Sequence, residues 1–131
     1  MASGDVNAIL RTYLVTALAA EAWVARIYCP RLPEGARLPA LAFFVRGGTS
    51  TPYIPAIVSP SVQFDCWGTS PIEARSVYIA LYDCLQGIEN VTVGAYKIKS
   101  AIEEVQGYEM QDVEFPGYHR VVTFFEIMLQ I

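Results

Sequence analysis

Charge is scarce in this sequence: 17% of its 131 residues are Asp, Glu, Lys or Arg, against 53% apolar. Histidine occurs once, as His119, and the three cysteines, Cys29, Cys66 and Cys84, form no C-x-x-C pair. That set is too small for a structural zinc site. The cysteines read as small buried apolar side chains, since no basic or helix-N-terminal neighbour is there to activate a thiol. Nine basic against thirteen acidic residues give a net charge of −4, without the basic patch of a nucleic-acid binder. The aromatic residues form no base-stacking platform. No apolar run reaches the roughly 18 residues of a membrane-spanning helix. Asp5 precedes the first apolar residues, an order unlike a signal peptide, so cytosolic synthesis is expected. Nucleophile-elbow, dinucleotide and P-loop motifs are all missing, and Gly47-Gly48 lacks phosphate-loop spacing. His119, beside Arg120 at the mouth of a strand, has no nucleophile to serve and reads as an exposed or interface residue. No catalytic, cofactor-binding or metal-binding residue is expected, and no enzyme activity.

What is present is a sharply punctuated strand–helix junction, Ser61-Val-Gln-Phe-Asp-Cys-Trp-Gly-Thr-Ser-Pro-Ile-Glu-Ala-Arg75. Val62, Phe64 and Cys66 alternate with Gln63, Asp65 and Trp67, the period of a strand. Gly68 and Thr69 break it. Ser70 is an N-cap, Pro71 sits where a missing N–H costs nothing, and Glu73 completes a capping box.

Periodicity assigns the other elements. Residues 5–22 read as a helix with Val6, Ile9, Leu10, Tyr13, Leu14, Ala17 and Leu18 on one stripe. Short strands follow over 25–29 and 40–46, then 60–67, and a second helix runs from 71 to 86 with Gly87 as its stop. Ala74, Val77, Tyr78, Leu81, Cys84, Leu85 and Ile88 form its core stripe, with Ile79 and Tyr82 off it. A fourth strand spans 91–105, with Tyr96, Ile98, Ser100 and Ile102 on one face and a bulge near Glu103-Glu104. An acidic connection then carries Glu109, Asp112 and Glu114 to a Pro116-Gly117 turn. The last strand, 118–131, is apolar on both faces, as suits a central strand. The order α-β-β-β-α-β-β predicts a single α+β domain of two layers, two helices on a mainly antiparallel sheet.

Residues 47–58 are harder to place. Gly47 and Gly48 break the strand and two prolines keep the segment out of a central ladder. Tyr53, Ile54, Ile57 and Val58 are nevertheless apolar. Either the segment projects as an arm toward a partner, or it folds back on its own core. The high apolar content suggests that part of the surface is buried against other subunits.

The opening helix, the strand ending Cys29-Pro30, Leu38-Pro-Ala-Leu-Ala-Phe-Phe, the Val62–Arg75 junction and the closing Tyr118-His-Arg-Val-Val-Thr-Phe-Phe-Glu-Ile together resemble the tail terminator (tail completion) proteins of long-tailed bacteriophages. The likeness covers nearly the whole chain and rests on fold-level patterns. It implies a hexameric ring that caps the completed tail tube, stops its polymerisation and supplies the head–tail joining surface. It implies no enzyme activity and no cofactor. Implied partners are copies of the chain, the tail tube protein and a head–tail connector or neck protein; DNA passes without specific binding, and no membrane is involved. The expected location is the tail–neck region of the virion, assembled in the host cytoplasm. On this reading Tyr53, Ile54, Ile57, Trp67, Ile79 and Tyr82 are candidate subunit or partner contacts. Glu103, Glu104, Glu109, Asp112 and Glu114 are candidates to face the channel, where like charge keeps DNA from adhering. The alternatives are another phage neck or tail-tube subunit and a small-molecule-binding α+β domain.

Overall fold

The computed structural model describes residues 5–33, 35–50, 56–111 and 117–131. Eight elements follow one another: α1 (Val6–Ala17), β1 (Ile27–Tyr28), β2 (Ala40–Ser50), β3 (Ile57–Gly68), α2 (Pro71–Leu85), β4 (Glu89–Val93), β5 (Tyr96–Gln111) and β6 (His119–Gln130). The strands form one sheet in the order β1-β2-β3-β6-β5-β4, antiparallel except for the short β1–β2 pair. This is the expected α+β architecture with one strand added. The predicted fourth strand is a hairpin, because Gly94, at φ 58°, supplies the left-handed turn that separates β4 from β5.

The core lies between one face of the sheet and the two helices. Phe43, Phe64 and Phe125 pack in a row across β2, β3 and β6, one pair tilted and the other edge-to-face, with ring centroids 6.0 and 5.6 Å apart. Leu10, Leu14, Leu81 and Leu85 close over them without solvent exposure. Asp5 caps α1 by accepting the Asn7 N–H at 3.2 Å. The helix ends at Ala17, five residues earlier than periodicity suggests. Three successive i→i+3 turns replace it, and they rotate Trp23 and Ile27 into the core, where a continued helix would have left Trp23 off the stripe. The hydroxyl of Tyr13 donates to the Cys84 carbonyl and ties α1 to the last turn of α2. β6 is central, as its two-sided apolar pattern requires, pairing with β3 and β5. Of the three cysteines Cys66 is buried and Cys84 half-buried. Cys29 is exposed, contrary to expectation, because the chain leaves the sheet immediately after Tyr28.

The expected break at Gly47-Gly48 is a bulge instead. β2 continues to Ser50 and pairs with β3 as far as Val58, while β6 also reaches Val58 and Ile57. The reason lies opposite, at Pro60, which cannot donate to a ladder; the register shift between Val45 and Gly48 lets the strand pass it. The segment is therefore part of the sheet up to Ser50 and again from Ile57. Tyr53 and Ile54 lie outside the described residues. Gly48 has φ 133°, and a Cβ there would lie 2.3 Å from the Ser59 carbonyl oxygen. Gly48→Ala is expected to destabilise the fold by about 2–4 kcal/mol, read from the denaturant midpoint; a midpoint unchanged from wild type would contradict the bulge.

Candidate subunit interface

The capping residues of α2 behave as their spacing predicts. The Glu73 N–H donates to Ser70 Oγ at 3.2 Å, and the Glu73 carboxylate accepts from the Thr69 N–H at 3.0 Å. With the helix so started, Ala74, Val77, Tyr78, Leu81 and Leu85 are buried on the sheet. At 3.6 residues per turn, Ile72 and Ile79 then fall on the opposite side. They are 83% and 51% exposed, and Tyr82 stands exposed beside them. Ile79 and Tyr82 were expected as contacts; Ile72 completes their stripe.

The flank of α2 holds β5 in an irregular path. Register shifts fall between Ile98 and Ser100, Glu103 and Val105, and Val105 and Tyr108. The second is the bulge predicted at Glu103-Glu104. The first overturns the expected common face of Ile98, Ser100 and Ile102: Ala101 takes over the buried side with Ile98, and Ile102 turns outward. Side chains of α2 and its C-cap satisfy backbone groups along these bulges. The Glu103 N–H donates to Gln86 Oε1 at 2.7 Å, and the Gly107 N–H donates to the Tyr78 hydroxyl at 3.3 Å. That hydroxyl donates to the Glu103 carboxylate at 2.7 Å, on the same oxygen that lies 2.7 Å from Thr123 Oγ1. Arg75 pairs with Glu109 at 3.0 Å.

The sheet face away from the helices has two halves. Three rows cross it in register: Ala40, Trp67, Arg120 and Met110; Ala42, Asp65, Val122 and Tyr108; Phe44, Gln63, Phe124 and Val105. Near β2 the face is covered by the chain itself. Trp67, expected as a contact, is only 8% exposed and packs with Tyr28, Leu32, Leu38 and Tyr118 around Ala40 and Ala42. Asp65 is buried beside it, its carboxyl pushed up by desolvation despite the Gln63 amide at 3.1 Å and Arg120 at 3.8 Å. Near β5 the face is bare: Ile102, Val105, Tyr108 and Met110 are all exposed. Between the halves the Arg46 guanidinium sits 3.9 Å from the Phe124 ring centroid. Its Nε donates to Ser61 Oγ at 3.1 Å, and Ser61 donates to Glu104 at 2.7 Å.

Of the remaining expected contacts, Ile57 is half-buried and sits in the ladder opposite Gln130. The three described acids do not share a face. Glu103 and Glu109 lie on the helix side, held by Tyr78 and Arg75, while Glu104 lies on the open side. Asp112 and Glu114 fall outside the described residues. Sequence reasoning passed over Ile102, Val105, Tyr108 and Met110, because they sit in or beside a stretch dominated by acids. The alternation of Tyr108 and Met110 with Gly107 and Glu109 was the available signal.

No family model and no curated protein sequence matches the chain. Its fold is similar to that of a chain in the structure described as the virion of a native gene transfer agent (GTA) particle, with a TM-score of 0.65 over 98% of this chain and 100% of that one. At 13% identity that likeness establishes a shared fold.

The Tyr78 hydroxyl is pushed up to about 12, by burial first and then by its bond to the Glu103 carboxylate. A tyrosine with a raised folded pKa keeps its proton after the unfolded chain has lost it. Its contribution is complete below pH 10.0 and is lost as pH rises towards about 12. Tyr78→Phe is expected to flatten part of that alkaline loss and to lower stability at neutral pH by about 1–2 kcal/mol. Denaturant titrations across a pH series test this; equal alkaline slopes in the two proteins would contradict it.

Proposed function

We propose that this chain is a structural subunit of a phage-like virion and, within it, the tail terminator: a hexameric ring that caps the completed tube, ends its polymerisation and joins tail to head. The observation that carries the reading is the presence of two exposed apolar surfaces that do not overlap. One is the outer stripe of α2, with Ile72 and Ile79; the other is the bare half of the sheet, with Ile102, Val105, Tyr108 and Met110. A subunit that works alone gains nothing from two such surfaces, whereas a ring subunit set on a tube meets neighbours and tube on different sides. The fold shared with a gene transfer agent virion chain supports the same reading. The role is non-enzymatic and needs no cofactor, and its place is the tail–neck region. Partners are further copies, the tube protein and a connector or neck protein, with DNA passing unbound. Of the acids assigned to the channel, Glu103 and Glu109 lie on the helix side and Glu104 on the bare side of the sheet, so on this reading the channel-facing charge falls to Asp112 and Glu114.

Tails assembled without the protein should show tubes of uncontrolled length by negative-stain imaging, and adding the purified chain should restore a fixed length. Tubes of normal length in its absence would refute termination. Ile72→Asp combined with Ile79→Asp should leave stability within about 0.5 kcal/mol, since both side chains face solvent, yet abolish length control.

A further inference from the structure

The sheet order separates charge. Residues 26–50 carry four arginines, Arg26, Arg31, Arg37 and Arg46, against one glutamate, and the described part of that segment builds the β1–β2 edge. Residues 89–114 carry six acids, Glu89, Glu103, Glu104, Glu109, Asp112 and Glu114, against Lys97 and Lys99. The described part of that segment builds the β5–β4 edge. Arg31 and Arg37 are exposed on the first edge, and Glu89, Glu104 and Glu109 on the second; Arg46 reaches inward over Phe124 to Ser61, which donates to Glu104, and Arg75 pairs with Glu109. A chain of net charge −4 thus presents one basic and one acidic flank, at opposite ends of one sheet.

Neither flank is closed by a strand along its length, although Gln86 and Tyr78 accept the Glu103 and Gly107 N–H groups of β5. β1 pairs with β2 only at Leu41 and Ala42, and β4 pairs with β5 only between Tyr96 and Ser100. The rest of each edge strand has no neighbouring strand among the described residues. The bare apolar row, Ile102, Val105, Tyr108 and Met110, lies on the acidic flank. It therefore borders the surface that the charges would bring into contact.

We infer that a second copy of this chain occupies the acidic flank, its β1–β2 edge set against the β5 side of the first and covering the Ile102–Met110 row. The contact is heterologous, since the two surfaces differ, and repeated by rotation it closes a ring. Opposite charge selects this pairing over its alternatives: two basic or two acidic flanks brought together repel. The inference rests on the ring reading above and names the surfaces that ring would use.

Two variants test it, each altering exposed side chains away from the core. R31E/R37E makes the basic flank acidic, and E89K/E104K/E109K makes the acidic flank basic, with five lysines against three acids. Circular dichroism and thermal melting establish that each folds. Wild type should assemble in low salt, by light scattering, and dissociate as salt rises. Each variant alone should associate roughly a hundredfold more weakly or worse, because its two flanks now carry the same sign. An equimolar mixture should assemble again, with the two variants alternating around the ring, an outcome that a merely damaged subunit would not give. Either variant assembling alone like wild type, or a mixture that stays dissociated, overturns the contact. So does wild type that remains monomeric to millimolar concentration. Wild-type chain that restores tail length while the variants also assemble leaves the terminator reading standing and removes only this contact. Wild-type chain that assembles by this contact but leaves tail length uncontrolled removes the terminator reading instead.

Discussion

The turn between β3 and α2 constrains where the rest of the chain can lie. A Cβ on Gly68 would sit 2.5 Å from the Ala74 nitrogen, so the strand end and the first helical turn approach at a distance only glycine allows. Ser70 and Glu73 then satisfy the N–H groups of Glu73 and Thr69, and Pro71 has none to satisfy. The direction of α2 is thereby set where β3 leaves the sheet between β2 and β6. Its rotation follows from burying Ala74, Val77, Tyr78, Leu81 and Leu85. Once those five are inside, two isoleucines seven residues apart can only face outward. The exposed stripe is a geometric consequence of a well-capped, well-buried helix that happens to carry apolar residues on its far side.

The second consequence concerns β5. An edge strand that ran straight would leave a long row of unpaired backbone groups, a template for unwanted pairing. Here α2 and its C-cap supply partners instead. Gln86 accepts the Glu103 N–H, Tyr78 accepts that of Gly107, and Arg75 donates to the Gly107 carbonyl. Each bulge so satisfied shifts the side-chain phase by one. After the first, Ala101 takes the core side and Ile102 turns outward. After the second, Glu103 stays under Tyr78 while Val105 faces away. The acids and the apolar residues of this stretch are sorted onto opposite faces by the bulges, and not by simple alternation.

That sorting explains where the sequence was legible. Elements whose period and caps agree were readable to within a residue or so: α2, the central β6, the bulge at Glu103-Glu104 and the α+β layering. Elements decided by distant packing were not. The end of α1 is made of good helix formers, and nothing local announces that Trp23 must reach the core. The Gly47-Gly48 pair looks like a strand terminus until Pro60 is known to lie opposite, and no window of sequence contains both facts as neighbours. The candidate contacts divide in the same way. Ile79 and Tyr82 follow from the helix period and are exposed, whereas Trp67 reads as outward by alternation yet is covered by Tyr28, Leu32, Leu38 and Tyr118, contacts set by the path of the chain outside the sheet.

The two halves of the outer sheet face show what the chain can and cannot cover alone. On the β2 side the loop packs Leu32 and Leu38 against the Trp67 cluster, and Asp65 is buried in the next row with Arg120 at 3.8 Å. Burying that carboxylate is costly, and the loop must contribute enough packing to offset it. On the β5 side no comparable loop exists among the described residues, and both helices are already committed to the opposite face. Arg46 over Phe124, with Ser61 and Glu104 beyond it, draws a polar boundary across the face where the covered half ends. Each such exposed contact is worth only about 1 kcal/mol or less. It cannot substitute for covering four apolar side chains that are still 39–56% exposed, together worth about 3–5 kcal/mol at about 1.5–3 kcal/mol for a fully exposed side chain. Among the described residues, the apolar surface that this chain leaves uncovered therefore lies in that row and in the outer stripe of α2.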